Sequence, residues 1–310
     1  IRRPPRSTLF PYTTLFRSRR DKVIRAPNQL SEQERKSAIA LIASCQAHDQ
    51  TFREPYLSNM LNFNPNMPAF FLYCQEGELL GLLTVYADDE DIEVSILVDP
   101  SHRRQGIARA MYRSFEKEMA SYPIRSVTFQ TERVFLYHHP DLASHWGLVE
   151  DEETETWLGR DRTPYALDSR SDVKVLLAEP SYLDAIAHLH HQAFSDAEET
   201  LEVSRRYITE ALKDSDGLLY ILLKEGQVIG VCTVDLSGNS NYLYGLAVAE
   251  AYRGLGYGSY LAKSVVNQLI AQNDKSFQIA VEDSNVGAKR LYEKIGFVKQ
   301  TQVVYLKQKG

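Results

Sequence analysis

Cysteine is scarce and badly placed for any framework. Cys45, Cys74 and Cys232 are the only three in 310 residues, an odd number, far apart and without metal-ligand spacing. A disulfide scaffold is thereby excluded, and the three read as reduced, mostly buried small hydrophobes of a reducing compartment, the cytoplasm. No run of about 18 apolar residues occurs, which rules out a membrane-spanning helix and any membrane partner through one. Basic charge is short as well. Residues 1–20 hold six arginines and no acid, and beyond them 29 basic residues face 41 acidic ones, a formal balance of −12 against −6 for the whole chain. Non-specific nucleic-acid binding needs a basic footprint, so an acidic body argues against it. What is present suits a folded chain: 44% apolar and 25% charged residues, with a length fitting two domains of about 150 residues each.

Residues 1–20 show no helix or strand period, and Thr8-Leu9-Phe10 recurs as Thr14-Leu15-Phe16. The segment reads as a translated cloning adapter or an unstructured tail, with an arginine-rich transit peptide as the rival, and it is set aside from fold reasoning. The remainder repeats at half its length. Glu76-Gly77-Glu78-Leu79-Leu80-Gly81 matches Glu225-Gly226-Gln227-Val228-Ile229-Gly230, and Val98 to Ala108 matches Val248 to Gly258. The copies stand 149 residues apart at Gly81 and Gly230 but 150 apart at Arg103 and Arg253, so one residue was gained or lost between those points. Solenoid repeats are far shorter, about 20–50 residues, so this period denotes duplicated domains. The division expected is 21–160 and 172–310, joined by a polar linker over 161–171 containing Pro164.

The second half reads more cleanly. Helices are expected from about Tyr182 to Phe194 and from Glu202 to Lys213. Strands follow over Leu218–Leu223 and Val228–Asp235, with a hairpin turn at Lys224 to Gln227, and then over Tyr242–Val248. A helix carries the stripe Leu261, Val265, Leu269; Phe277–Val281 is a strand; Ser284 or Asn285 caps the next helix. Gly296 stops that helix, and Phe297–Leu306 is expected to close the sheet.

Arg253-Gly254-Leu255-Gly256-Tyr257-Gly258 falls between a strand and a helix. Glycines there let backbone N–H groups approach an anion, and the helix N-terminus adds fixed positive charge, which suits a pyrophosphate. The spacing is not that of a dinucleotide fold, and the P-loop Gly-Lys-Ser/Thr is missing. About thirty residues on, Asn285 and Tyr292 stand two helical turns apart on one side of a helix reading Asn285-Val-Gly-Ala288-Lys-Arg-Leu291-Tyr292-Glu-Lys-Ile-Gly296-Phe297. In these two motifs, in this order and at this distance, the chain resembles the GNAT acetyltransferase superfamily, over essentially residues 22–310 as two tandem copies. One departure is Glu250, where the family often has Pro; Pro100 in the first copy keeps it.

The resemblance implies an α/β fold of two tandem GNAT-like domains, each a mixed, mostly antiparallel sheet flanked by helices. It implies transfer of an acetyl group from acetyl-CoA to a primary amine, on a small molecule or a peptide, without a metal. Leu246, Ala247 and Val248 would offer backbone groups to the pantetheine arm, with an N–H near Leu246 at the thioester oxygen. Arg253, Gly254, Gly256, Tyr257, Gly258 and Ser259 would surround the pyrophosphate, Asn285 would bond the pantetheine, and Tyr292 would protonate the departing thiolate as general acid. A phenol titrating near 10 stays protonated where a thiol near 8.5 is already a good leaving group, so the assignment is chemically sound. The alternative for Tyr292 is a half-buried helix tyrosine with a satisfied hydroxyl.

The first copy is not equivalent. Arg103, Gly106 and Ala108 satisfy the loop, but aligning Gly147 with Gly296 sets Ala143 opposite Tyr292 and Leu136 opposite Asn285. Tyr137 or His138 are possible substitutes that no spacing favours. This half is expected to bind coenzyme or to serve structure, as in tandem proteins of the mycothiol-synthase type. No general base stands out, although Asp235, Glu282 and Tyr244 lie near the expected cleft. His188, His190 and His191 read as exposed helix histidines, and Asp151 to Glu155 as a solvated face. Rival functions are a non-catalytic acyl-CoA sensor or scaffold and a thiol-cofactor acetyltransferase of the mycothiol type. The negative body favours cationic amines.

Overall fold

The Glu-Gly steps at 76–77 and 225–226 are where each half turns on itself. Their φ angles are 55° and 89°, then 51° and 83°, the left-handed pair that a two-residue hairpin needs. A computed structural model describes residues 22–194 and 200–309, so the reading of residues 1–20 lies outside the described residues. The first half runs β1 (Lys22–Arg25), α1 (Glu32–Asp49), β2 (Phe70–Gln75), β3 (Glu78–Tyr86), β4 (Asp91–Val98), α2 (Ile107–Met119), β5 (Ser126–Glu132), α3 (Arg133–His138), α4 (Leu142–Trp146) and β6 (Leu148–Arg160). The second runs β7 (Val173–Leu177), α5 (Leu183–Phe194), α6 (Leu201–Lys213), β8 (Gly217–Lys224), β9 (Gln227–Asp235), β10 (Ser240–Val248), α7 (Tyr257–Ile270), β11 (Ser276–Glu282), α8 (Val286–Lys294) and β12 (Val298–Gln308).

The twelve strands of the described residues join one sheet, in the order β1-β2-β3-β4-β5-β12-β6-β11-β10-β9-β8-β7. Neighbours are antiparallel except β4 with β5 and β10 with β11. The segment from Phe297 does form the last strand, but it leaves its own half. β12 pairs β5 of the first half on one side and β6 on the other, while β6 pairs β11 of the second half. Each half thus lends its final strand to the centre, where both strands have neighbours on either side and no edge is left open.

Strand alternation sorts side chains to two faces. On one, α2 covers Phe71, Leu83 and Phe129 together with Val304 and Leu306 of the exchanged β12. On the same side α7 and α8 cover Cys232, Leu243 and Ile279 with Leu158 of the exchanged β6. The opposite face is packed by α1 over Leu72 and Leu82, and by α5 and α6 over Ile221 and Val231. Each such buried aliphatic or aromatic side chain contributes about 1.5–3 kcal/mol, and the two cores of the first face draw on both halves.

Between α1 and α5–α6 the second face is not packed with aliphatic residues. Tyr86 of β3 and Tyr244 of β10 are six strand spacings apart, about 29 Å on a flat sheet. Yet the Tyr207 hydroxyl of α6 lies within reach of both. The sheet therefore curls around this face, making a cleft that belongs to neither half alone.

Candidate functional site

The one-residue difference between the repeats has a physical location. In the first half β3 and β4 pair without a skip from Gly81↔Val98 to Tyr86↔Glu93. In the second, Thr233 pairs Tyr244 but Val231 pairs Ala247, so Cys232 faces two residues, Gly245 and Leu246. That is a β-bulge, with Gly245 at φ 58°, a left-handed conformation in which glycine escapes the Cβ penalty. Pairing of β10 with β11 ends at Leu243↔Ile279. Gly245 and Leu246 consequently join neither ladder, just where the two parallel strands part. Ala247 and Val248 resume the pairing with β9.

Arg253 donates from Nε to the Val248 carbonyl at 2.9 Å, and Arg103 makes the equivalent bond to Val98 at 3.1 Å. There the likeness ends. Arg103 is clamped by Asp49 at 2.7 and 2.5 Å, whereas Arg253 has no carboxylate partner among the described residues. Gly254 and Gly256 hold φ of 75° and 81°, and a Cβ on Gly254 would meet open space. Gly256 is the N-cap of α7. Tyr257 turns inward, its hydroxyl donating to Asp172 at 3.0 Å; a Cβ on Gly258 would come within 3.1 Å of Leu291 of α8, closer than a side chain there fits without a shift. Ser259 is half-buried in the first turn of α7. From the linker, Arg170 donates to the Leu255 carbonyl at 3.2 Å and lies over the Tyr257 ring.

Asn285 caps α8, accepting from the Ala288 N–H at 3.1 Å. Tyr292 is buried among the residues under α7, and its hydroxyl makes no hydrogen bond among the described residues. Burial, and secondarily the neighbouring Cys232 thiol, push that hydroxyl well above the ordinary tyrosine range. Cys232 is the residue opposite the bulge. The phenol is thus protonated, and it shares a buried cluster with the residue opposite the bulge.

In the first half the corresponding helix is broken into α3 and α4, with Ala143 where Tyr292 stands in the second. Room is nevertheless present: a cavity of about 910 Å³ opens at the β4–β5 divergence, lined by Ser95, Arg103, Gly106, Gln130, His138 and His145 among others.

Of the residues near the expected cleft, Asp235 and Tyr244 face it, while Glu282 is exposed at the end of β11. Burial raises the Asp235 carboxyl to about 6 against the hydrogen bonds from Ser237. Two expectations need correction. His190 is not exposed: it stacks 4.8 Å from Tyr207, and burial lowers it to about 4, because α5 turns that residue toward α6. Glu155 is not part of a solvated face; strand alternation points Glu155 and Trp157 into the cleft, 3.0 Å apart. Arg53, Glu93, Trp157 and Tyr305, all in the cleft, belong to no sequence motif. They come from four segments that only the exchanged strands bring together.

The model of the Acetyltransferase (GNAT) family matches twice, over residues 36–139 and 183–297. The mycothiol acetyltransferase of Clavibacter sepedonicus is 26% identical over 239 residues, 72% of this chain and 74% of that protein. The [ribosomal protein bS18]-alanine N-acetyltransferase of Haemophilus influenzae is 32% identical over 89 residues, 28% of this chain and 60% of that one. Among solved structures, a tandem GNAT protein from the clavulanic acid biosynthesis pathway superposes with a TM-score of 0.64 at 15% identity, covering 92% of this chain and 98% of that chain.

Proposed function

From the premise that this chain belongs to the GNAT acetyltransferase family and carries its domain twice, we propose that its second half moves an acetyl group from acetyl-CoA to a primary amine. The observation that carries this reading is the bulge at Gly245–Leu246, present in β10 and lacking in β4, with Tyr292 in one buried cluster with Cys232, the residue opposite it. Acetyl-CoA, when bound, supplies the acetyl group as a thioester. Its pyrophosphate suits the open loop Arg253–Gly258, where left-handed glycines, the start of α7 and an Arg253 without a carboxylate partner among the described residues offer positive charge. The Leu246 N–H, released from both ladders, is free to donate to an oxygen that gains charge as the amine attacks. Tyr292 holds its proton at neutral pH and gives it to the sulfur as the C–S bond breaks. Asn285 spends its oxygen on the helix cap, leaving its amide N–H₂ as the group for pantetheine.

Amines and peptide N-termini offered with acetyl-CoA and a free-thiol readout test the proposal. Thiol release dependent on the amine is expected, and heat stability should rise with acetyl-CoA by about 2.7 kcal/mol at one hundred times Kd. NADH should give no such rise. Stabilisation without thiol release from any amine would favour a sensor. A second reading, acetylation of a thiol-cofactor precursor, is favoured by the mycothiol acetyltransferase match, which extends over 239 residues.

A further inference from the structure

The segment that joins the halves is laid along α7, running against the direction of the helix. Arg162 is held at the C-terminal end of α7, donating to the Ile270 carbonyl at 2.9 Å and to Asp274 at 2.6 Å. Next, Asn267 bonds the Tyr165 backbone twice, accepting from its N–H at 2.8 Å and donating to its carbonyl at 2.9 Å. At the N-terminal end the Arg170 guanidinium lies 5.6 Å from the Tyr260 ring centroid and 4.7 Å from that of Tyr257, while its Nη2 donates to the Leu255 carbonyl at 3.2 Å. Asp172 then ties the chain down before β7, accepting from the Tyr257 hydroxyl at 3.0 Å and from Lys224 at 2.7 Å. Tyr165 and Arg170 are five residues apart, a reach of at most about 18 Å. The stretch of α7 from Asn267 back to Tyr257 takes up about 15 Å of it. The strap has little slack, so its length sets Arg170 down at the glycine loop.

What the protein offers Arg170 there is one carbonyl. A guanidinium has five N–H donors; among the described residues Arg170 spends one on Leu255 and has no carboxylate partner. Asp172, two residues on, is taken by Lys224 and Tyr257. Rings under a guanidinium engage its face and leave its N–H edge free, and that edge is the planar fork that meets two phosphate oxygens. Nη2 also lies 3.3 Å from the point where a Cβ on Gly256 would stand, which puts the charge against the N-cap of α7. Propping the Leu255 carbonyl needs one neutral donor, so the positive charge is left without a use inside the protein. Arg253 brings a second guanidinium without a carboxylate partner to the same loop, whereas its counterpart Arg103 is neutralised by Asp49. Resting on the acetyl-transfer reading above, we propose that the strap is part of the coenzyme site: Arg170 binds the pyrophosphate of acetyl-CoA at Gly256, alongside the backbone N–H groups of the loop. The segment that connects the halves thereby completes the coenzyme site of the second.

Calorimetric titration of the full chain with acetyl-CoA and with 3′-dephospho-acetyl-CoA, at several KCl concentrations, tests this. Arg170→Gln keeps an amide donor for the Leu255 carbonyl and removes the charge; Arg253→Gln serves as the reference for the same loop. We expect Arg170→Gln to raise Kd at least fivefold for both ligands, to flatten the salt dependence of Kd, since attraction between charges is what salt screens, and to leave ligand-free heat stability as it was. An unchanged Kd, or a raised Kd with the salt dependence intact, would reduce Arg170 to a prop and overturn the proposal. A loss confined to acetyl-CoA would move the contact to the 3′-phosphate and overturn it equally. If the unaltered protein binds neither ligand, the transfer reading itself fails, and the proposal with it. If Arg253→Gln weakens binding and Arg170→Gln does not, that reading stands and the proposal alone falls.

Discussion

Tyr292 and Ala143 occupy equivalent places in two copies of one fold, and the difference between them is a single phenol. Removing the hydroxyl keeps the ring packed against Phe297, so Tyr292→Phe should leave heat stability and acetyl-CoA binding nearly unchanged. Turnover should fall about 10²-fold, the usual scale for a lost general acid. Substitutions at Ala143 should leave thiol release untouched, because no acid stands there. Burial keeps the phenol protonated above the ordinary tyrosine range, so kcat should show no alkaline loss from this group up to pH ~10. A descending limb at pH 8–9 that vanishes in Tyr292→Phe would contradict that environment. Tyr292, Asn285 and the glycine loop were legible in the sequence because local spacing on one helix and one turn encodes them. Arg53 and Glu93 were not, since they reach the cleft only through a loop tied to Glu132 and a strand in the other half.

The bulge in β10 shows what a one-residue offset between repeats is worth as an observation. It was visible as 149 against 150 residues, but its meaning needs the strand register, because an inserted residue in a loop gives the same count. Deleting Gly245 should restore in β10 the unbroken pairing that β4 has with β3. We expect the protein to fold and to lose turnover by about 10²–10³-fold, the scale for a missing oxyanion donor. Retained activity with a restored register, seen as new amide-exchange protection at Leu246, would show that the bulge is dispensable. The exchanged strands carry their own electrostatic tie. Burial opposes ionisation of Asp283, yet bonds from Thr154 and Thr156 of β6, Gln302 of β12 and Lys289 of α8 hold its carboxyl well below the usual range. A depressed folded-state pKa stabilises at neutral pH, and the gain fades as pH falls below about 4. Asp283→Ala should therefore cost about 1–2 kcal/mol at pH 7 and progressively less in acid, measured by urea unfolding. A cost independent of pH would assign the loss to packing alone.

At the scale of the whole molecule, the two-domain reading and the tandem family fold were available from the repeat, whereas the crossing of β6 and β12 was not. Both segments are strands by pattern, and pattern says which face a residue takes but not which edge its strand joins. The consequence is mechanical. Val304 and Leu306 complete the core under α2, and Leu158 completes the core under α7, so neither half holds its own last strand. A specific protease site placed at the exposed residues 166–169 would cut the chain without touching any strand. Domains that merely sit side by side would then drift apart, as ordinary inter-domain contacts are small and polar. Here the fragments must unpair β5 and β6 from β12 and β6 from β11, and each must expose apolar side chains from its core. We expect the nicked protein to run as one species on size exclusion at micromolar concentration and to separate only in denaturant. Each half expressed alone should be insoluble or open, while co-expression restores a soluble complex. Because the central cleft takes Arg53 and Trp157 from one fragment and Trp157's stacking partner Tyr242 from the other, recovered thiol release should track the complex and not either fragment. Independent folding of residues 172–310 with full turnover would show that the exchange of strands and the shared cleft are incidental to the chemistry.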